Sequence, residues 1–265
     1  MTTVEARFGR PRRHESDRPA AVDLGGWIRG PVTDQGLVPL CTAAVVTTLA
    51  QYWAARDANI DFVPSVLFNY RLSRRLADRP DRQGSTLRHS LAAWRLFGLV
   101  AEDRWPYRPD RVDADPPAAL LAAARWRDVA FGRLDGPDLS GPEYLDEVRG
   151  HLARGIPLSV EFPLGPSLVS SFRSGVVALP GIGERCVGRH VVAVVGYDDD
   201  RPTGRATGGE TYGALRFRNN WGRGWGDDGH GWLPYEFLLH SISRHTWLVT
   251  HSPWRAADAP PTHDA

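Results

Sequence analysis

A thiol, an imidazole and two carboxamides can together carry acyl transfer, and this chain offers each in a setting that suits its role. Cys41 lies six residues after Gln35 in PVTDQGLVPLCTAAVV, His190 follows within GRHVVAVVGY, and Asn219 lies within RFRNNWGRGWG. The thiol would be the nucleophile, the imidazole would take and return its proton, Asn219 would orient the ring, and Gln35 with a backbone N–H would receive the oxyanion. Turn-like residues precede Cys41 and a helical run follows it, with no Gly or Pro until Pro64. A thiol at a helix start meets the positive end of the macrodipole, which favours thiolate. Taken singly, Cys41 reads as a small buried hydrophobe, His190 as a core or surface histidine and Asn219 as a turn residue; their joint order favours chemistry.

These residues must be held by two kinds of structure. From Cys41 onward the pattern is helical; Pro64 opens a second helix through PSVLFNYRLSRRLAD, and Ser85 or Thr86 caps a third that ends at Gly98. After the Pro-rich RPDRVDADPP, short helices are expected at about 117–125 and 142–154. The remainder reads as strands in IPLSVEF, GVVAL, HVVAVVGYD, GALRFRN, GWLPY and HTWLVTH, with DDDRPTGRATGGETYG forming an exposed hairpin tip. A helical half followed by a strand-rich half is an α+β arrangement, with Cys41 in the first part, His190 and Asn219 in the second, and a cleft between them. The expected boundaries are a flexible N-terminal segment at 1–20, a catalytic domain at 21–252 and a flexible C-terminal tail at 253–265. Within the domain the helical part covers about 40–125 and the strand-rich part about 126–252.

Composition excludes several classes. A net charge of +1 advertises neither nucleic acid nor membrane as a partner, and all 32 basic residues are Arg, which reads as compositional bias. Two cysteines, Cys41 and Cys186, cannot build a disulfide framework, and a bridge between them would silence the nucleophile. The spacing of Cys186 and His190 supplies too few ligands for zinc, DDD at 198–200 lacks the spaced ligands of a calcium loop, and GRGWGDDG lacks the ending of a phosphate loop. No metal or other cofactor is therefore expected. The N-terminus has no apolar signal region, and no stretch approaches the ~20 apolar residues of a membrane helix, so a cytoplasmic protein is expected, with leaderless export left open.

The segment PVTDQGLVPLCTAA, with Pro31, Val32, Gln35, Gly36 and the Gln-to-Cys spacing, resembles the nucleophile segment of the papain family of cysteine peptidases. VDLGGW at 22–27, GLVAEDRWPY at 98–107, HVVAVVGYD at 190–198 and RNNWGRGWGDDGHGW at 218–232 resemble further motifs of that family, in order, across roughly 20–250. The resemblance implies a papain-like fold of two subdomains. It also implies that Gln35 and the Cys41 N–H form the oxyanion hole, that Cys41 and His190 rest as an ion pair, that Asn219 rather than Asn220 orients His190, and that Trp221 covers that bond from water.

The same comparison marks departures. Pro39 and Leu40 stand where the family has small residues, so the wall beside the nucleophile must differ. Val38 replaces a disulfide cysteine, and Thr42 follows the nucleophile as in the bacterial branch. Arg189, beside His190, could favour thiolate and disfavour imidazolium, or simply point to solvent. Glu161, if inward, would favour a basic residue in the second specificity pocket. Gly84 and Ser85 resemble the edge along which substrate backbone pairs, and Trp225 with Trp221 would floor the leaving-group side. No long propeptide precedes the core, so control by narrow specificity or by a proteinaceous inhibitor or activator is expected, on a monomer acting on peptide or protein substrate. A peptide ligase using the same acyl-enzyme, and a catalytically idle papain-like binding protein, are the alternatives.

Overall fold

Apolar and small residues surround helix α1 (Cys41–Ala58) on every side, and 13 of its 18 residues are buried. A helix apolar all round belongs in a core. In this computed structural model, which describes residues 18–78, 81–136, 138–204, 210–251, 253–254 and 259–260, the chain forms two compact units. Trp27–Phe131 with Val249–Ala265 make the helical unit, and Met1–Gly26 with Gly132–Leu248 the strand-rich one.

In the helical unit, Asn59 adopts a left-handed φ of 53° and closes α1. Helix α2 (Val66–Leu76) starts when the Ser65 hydroxyl accepts the Phe68 N–H, and α3 (Leu87–Phe97) when Thr86 accepts from His89. Gly98 ends α3 at φ 82°, where a Cβ would come within 2.5 Å of the Arg125 carbonyl oxygen. A short α4 (Ala118–Ala123) follows. Leu40, Ala43, Ala44, Leu67 and Tyr70 form one core cluster; Phe68, Leu72, Ala93 and Val100 form another. Glu102, in the WPY-containing motif, accepts the Val66 N–H at 3.1 Å and the Tyr107 N–H at 2.6 Å, pinning the start of α2.

Trp254 belongs to the same core. It is 6% exposed and stacks on Trp126 with ring centroids 4.3 Å apart, while the Trp94 indole donates to the Trp126 carbonyl at 2.9 Å. The expected flexible tail is thus packed at its first aromatic; residues 255–258 and 261–265 lie outside the described residues.

The strand-rich unit carries most of a seven-stranded sheet: β1 (Ala21–Asp23), β2 (Val129–Arg133), β3 (Leu158–Leu164), β4 (Gly188–Gly204), β5 (Glu210–Arg218), β6 (His230–Pro234) and β7 (Arg244–His251). Its order is β2-β7-β3-β4-β5-β6, with β1 pairing onto β4. β4 is the spine, antiparallel to β3, β5 and β1. Gly196 permits the β1 pairing, because a Cβ there would sit 2.1 Å from the Val22 carbonyl oxygen. Helix α5 (Gly141–Ala153) begins in a capping box of Ser140 and Glu143.

Three expectations change here. GVVAL is not a strand: Gly175 closes a helical turn at φ 68°, and only Val176 bridges, to Trp232. The insertion after Asp198 lengthens β4 and β5 into paired arms, with Thr203 opposite Thr211, and its tip at 205–209 lies outside the described residues. Of the expected flexible N-terminal segment, 1–17 lie outside the described residues, whereas 18–20 are tied down. Arg18 binds Asp146, and the Pro19 carbonyl accepts from the Tyr197 hydroxyl at 2.7 Å. Neither cysteine is disulfide-bonded, and among the described residues no helix is long and apolar enough to cross a membrane.

His151, on α5, is 2% exposed, and burial together with the Arg154 guanidinium pulls its pKa down to about 4. An unfolded imidazole takes its proton near ~6.5, so below that pH the unfolded chain binds more protons than the folded one. The stability from this residue is complete above about 6.5 and lost as pH falls toward 4. Glu102 acts oppositely: burial, against its two N–H partners, raises it to about 7, so its contribution fades as pH climbs toward that value. Urea unfolding of wild type and His151→Gln at pH 7 and pH 4 should show the wild type losing on the order of 2–3 kcal/mol more than the variant. Equal losses would refute this account.

Candidate active site

In the helical unit Cys41 is the first residue of α1 and is half-buried. Its N–H belongs to the first turn, whose amides point out of the helix end. No side chain caps that end and no acidic residue lies in its first turn, so the positive pole of the helix is left to act on the thiol. Leu40 is fully buried in the cluster with Ala43 and Tyr70, so its bulk turns into the core. Pro39 is the exposed neighbour, and a Cβ on Gly84 would lie 3.9 Å from its ring. The expected change in the wall is therefore made by Pro39 rather than by Leu40.

Gln35 is 9% exposed and donates from Nε2 to the Val38 carbonyl at 3.0 Å. That acceptor fixes which end of the amide is nitrogen, and the second Nε2 proton is available for another acceptor. The Tyr107 hydroxyl donates to the Gln35 carbonyl at 2.8 Å, so the WPY-containing motif holds the Gln35 backbone. Gly84 donates its N–H to the Tyr70 hydroxyl at 2.9 Å, and beside it the buried Ser85 hydroxyl has no hydrogen-bond partner.

In the strand-rich unit His190 lies on β4 and is 2% exposed. Asn219 Oδ1 is 2.8 Å from His190 Nε2 and also accepts the Asn220 N–H at 2.9 Å. A backbone N–H can only donate, so that atom is oxygen, and Nε2 must carry a proton. Nδ1 is left as the nitrogen that can exchange one. Asn220 turns away, donating to the Val191 carbonyl at 3.4 Å. Trp221 stacks on the imidazole at 4.4 Å between centroids, Phe162 meets its edge at 5.5 Å, and Phe172 stacks on Trp221 at 5.6 Å. Burial in this aromatic pocket pulls the His190 pKa down to about 4, against the Asn219 bond, which raises it. Burial therefore favours neutral imidazole, in tension with the resting imidazolium that the resemblance implies.

A thiol at an uncapped helix start and a neutral imidazole locked by an asparagine are the parts of a thiol hydrolase. The sequence profile of the papain family cysteine proteases matches residues 83–236. The chain belongs to the papain family of cysteine proteases. As a papain-family cysteine peptidase it is a hydrolase, and its α+β fold is that of its structural neighbours. It is similar to xylellain, a cysteine protease from Xylella fastidiosa, at a TM-score of 0.74 and 24% identity, covering 89% of this chain and 88% of that one. The Carica candamarcensis cysteine protease in complex with E-64 is similar at a TM-score of 0.59 and 16% identity, over 89% of this chain and 100% of that one. An uncharacterized peptidase C1-like protein of Acanthamoeba polyphaga mimivirus is 25% identical over 223 residues, 82% of this chain and 68% of its own length.

Two residues expected near substrate lie elsewhere in the papain-like scaffold. The register sets Phe162 opposite His190, and strand alternation turns Glu161 and Arg189 to the other face. There Glu161 takes the Arg189 guanidinium at 3.1 Å and His245 at 3.0 Å. Sequence alternation alone could not tell which face of β3 lies beside the histidine of β4. Trp225 is 2% exposed and meets Trp221 edge-on at 5.6 Å, so it backs that ring rather than flooring a surface. Phe172, 52% exposed, was not singled out by the sequence; its only signal was an aromatic in an otherwise polar SSFRS run.

Replacing Asn219 by Ala should abolish the hydrogen-bonded Nε2–H resonance of His190 in proton NMR and lower stability by about 1–3 kcal/mol, the cost of orphaning a buried donor. A persisting resonance would mean that another group orients the ring.

Proposed function

We propose that Cys41, His190, Asn219 and Gln35 form one catalytic set that hydrolyses peptide bonds through a thioester on Cys41. The observation that carries the reading is the His190–Asn219 hydrogen bond, which commits Nε2 and leaves Nδ1 for proton transfer. The Cys41 thiolate attacks the scissile carbonyl and a C–S bond forms. The oxyanion is received by the Cys41 N–H and the second proton of Gln35 Nε2. The intermediate collapses, the C–N bond breaks, and His190 gives its proton to the departing amine. Water, deprotonated by His190, then attacks the thioester, releasing the acid and returning the proton to the Cys41–His190 pair.

The low pKa that burial gives His190 fits this scheme if the Cys41 thiolate supplies a counter-charge, since a nearby anion favours imidazolium. Pro39 and Gly84 form part of the substrate wall, and Trp221 with Phe172 take the leaving-group side. The substrate is a peptide or protein, the enzyme acts as a monomer without a cofactor, and a proteinaceous inhibitor or activator controls it.

The deciding experiment pairs activity with titration. Cys41→Ala should eliminate hydrolysis of a fluorogenic peptide library, and Gln35→Ala should lower kcat/KM by about 10²–10³-fold through kcat. By NMR, the His190 pKa should be lower in Cys41→Ala than in the wild type, where a thiolate beside the ring would favour the imidazolium. Identical titrations in both proteins would rule out the ion pair, and peptidase activity surviving in Cys41→Ala would rule out the nucleophile.

A further inference from the structure

Residues 82–85, which carry the Gly84 part of the substrate wall, belong to neither helix nor strand. Gly84 adopts a φ of 86°, in the region that glycine alone enters freely. With no ladder or helix to fix such a stretch, side chains must, and two from α2 reach it. Tyr70 is fully buried, and its hydroxyl accepts the Gly84 N–H at 2.9 Å. Arg74, one turn further along the helix, is fully buried too, and its Nε donates to the Arg82 carbonyl at 2.7 Å.

Taking a guanidinium out of water is costly unless its donors are met. Arg74 Nη1 donates to the Val112 carbonyl at 3.0 Å and to Asp113 at 2.7 Å, and the guanidinium carbon lies 5.3 Å from the Tyr70 ring centre. One planar fork thus joins α2, the 112–113 loop and the carbonyl two residues before Gly84, and it lies against the ring that holds Gly84 itself. The neighbouring Arg75 is half exposed, so the two members of this arginine pair do different things. Burial raises the Tyr70 phenol above its ordinary value, against the Gly84 N–H and the Arg74 charge, so the hydroxyl stays neutral and keeps its place as acceptor. Leu40, Ala43 and Ala44, which flank Cys41, share the core cluster of Tyr70, so the same tyrosine ties the Gly84 edge to the start of α1.

We propose that Tyr70 and Arg74 are positioning residues for substrate binding, which together hold Gly84 and Ser85 in the conformation that a peptide backbone pairs with. This rests on the reading of Gly84 as substrate wall. Both side chains are fully buried, so they act through the 82–85 backbone and not by touching the peptide.

The test compares two alkylating reagents with the same reactive group, followed at Cys41 by peptide mass. Capped dipeptidyl chloromethyl ketones with randomised side chains carry backbone that can pair with Gly84 and Ser85, whereas chloroacetone carries none; each loses chloride as a thioether forms. In Tyr70→Phe the peptidyl concentration giving half-maximal rate should rise by about threefold to tenfold, while the limiting rate and the chloroacetone rate stay at their wild-type values. Arg74→Lys, which keeps the charge but loses the fork, should raise it at least as far; should that variant fail to fold, Tyr70→Phe alone decides. Ser65→Ala, which removes the cap at the other end of α2, should lower Tm without moving the half-maximal concentration, which separates positioning from loss of stability. An unchanged half-maximal concentration in Tyr70→Phe, or an equal rise in Ser65→Ala, overturns the proposal alone. Wild-type alkylation by the peptidyl reagents that does not saturate overturns it together with the reading of Gly84 as substrate wall.

Discussion

A buried imidazole N–H that must find an acceptor governs the strand-rich unit. His190 and Asn219 meet because β4 and β5 pair Ala193 with Arg218; extending that register sets Asn219 opposite Val192 and Trp221 opposite His190. The stack of Trp221 on His190 and the bond from Asn220 to the Val191 carbonyl follow from it. The register itself shifts between Val194 and Gly196. In a sheet, a shift of one residue exchanges faces, so this irregularity decides that the histidine, the asparagine and the tryptophan share one side. Gly196, by admitting β1 to the same strand, lies beside the shift.

The helical unit solves a different problem, which is leaving a helix end electrostatically exposed without losing the helix. α1 does so by being buried along most of its length and closed by Asn59 at its far end, so that it needs no side-chain cap at Cys41. The turn before it is braced from outside: Tyr107 holds the Gln35 carbonyl, Gln35 holds the Val38 carbonyl, and Leu40 anchors in the core.

Much of this was legible in the residues. The helix from Cys41, the caps at Ser65, Thr86 and Gly98 and the strands through His190 and before Asn219 follow from local chemistry that tertiary context left in place. The choice of Asn219 over Asn220 came from the resemblance to the papain family; the structure shows the bond itself. What was not legible depended on facing. Whether Glu161 points toward or away from His190 is a matter of parity across two strands, and LSVEF reads alike in both cases. GVVAL has a strand's composition but only one paired residue, because the preceding glycine ends a turn rather than starting a ladder. The residues at 253 and beyond look like a tail in composition, and a single tryptophan overrides that impression by burying its ring.

The stack of Trp254 on Trp126 also bears on when the helical unit can be completed. Its main span ends at Phe131, yet the residues that finish its core begin at Val249, after nearly all of the strand-rich unit has been made. At a synthesis rate of about 5–20 residues per second, the first-made helices must wait on the order of 6–24 seconds with Trp126 lacking its partner. The half that bears Cys41 therefore reaches its final packing last, although most of it is translated first.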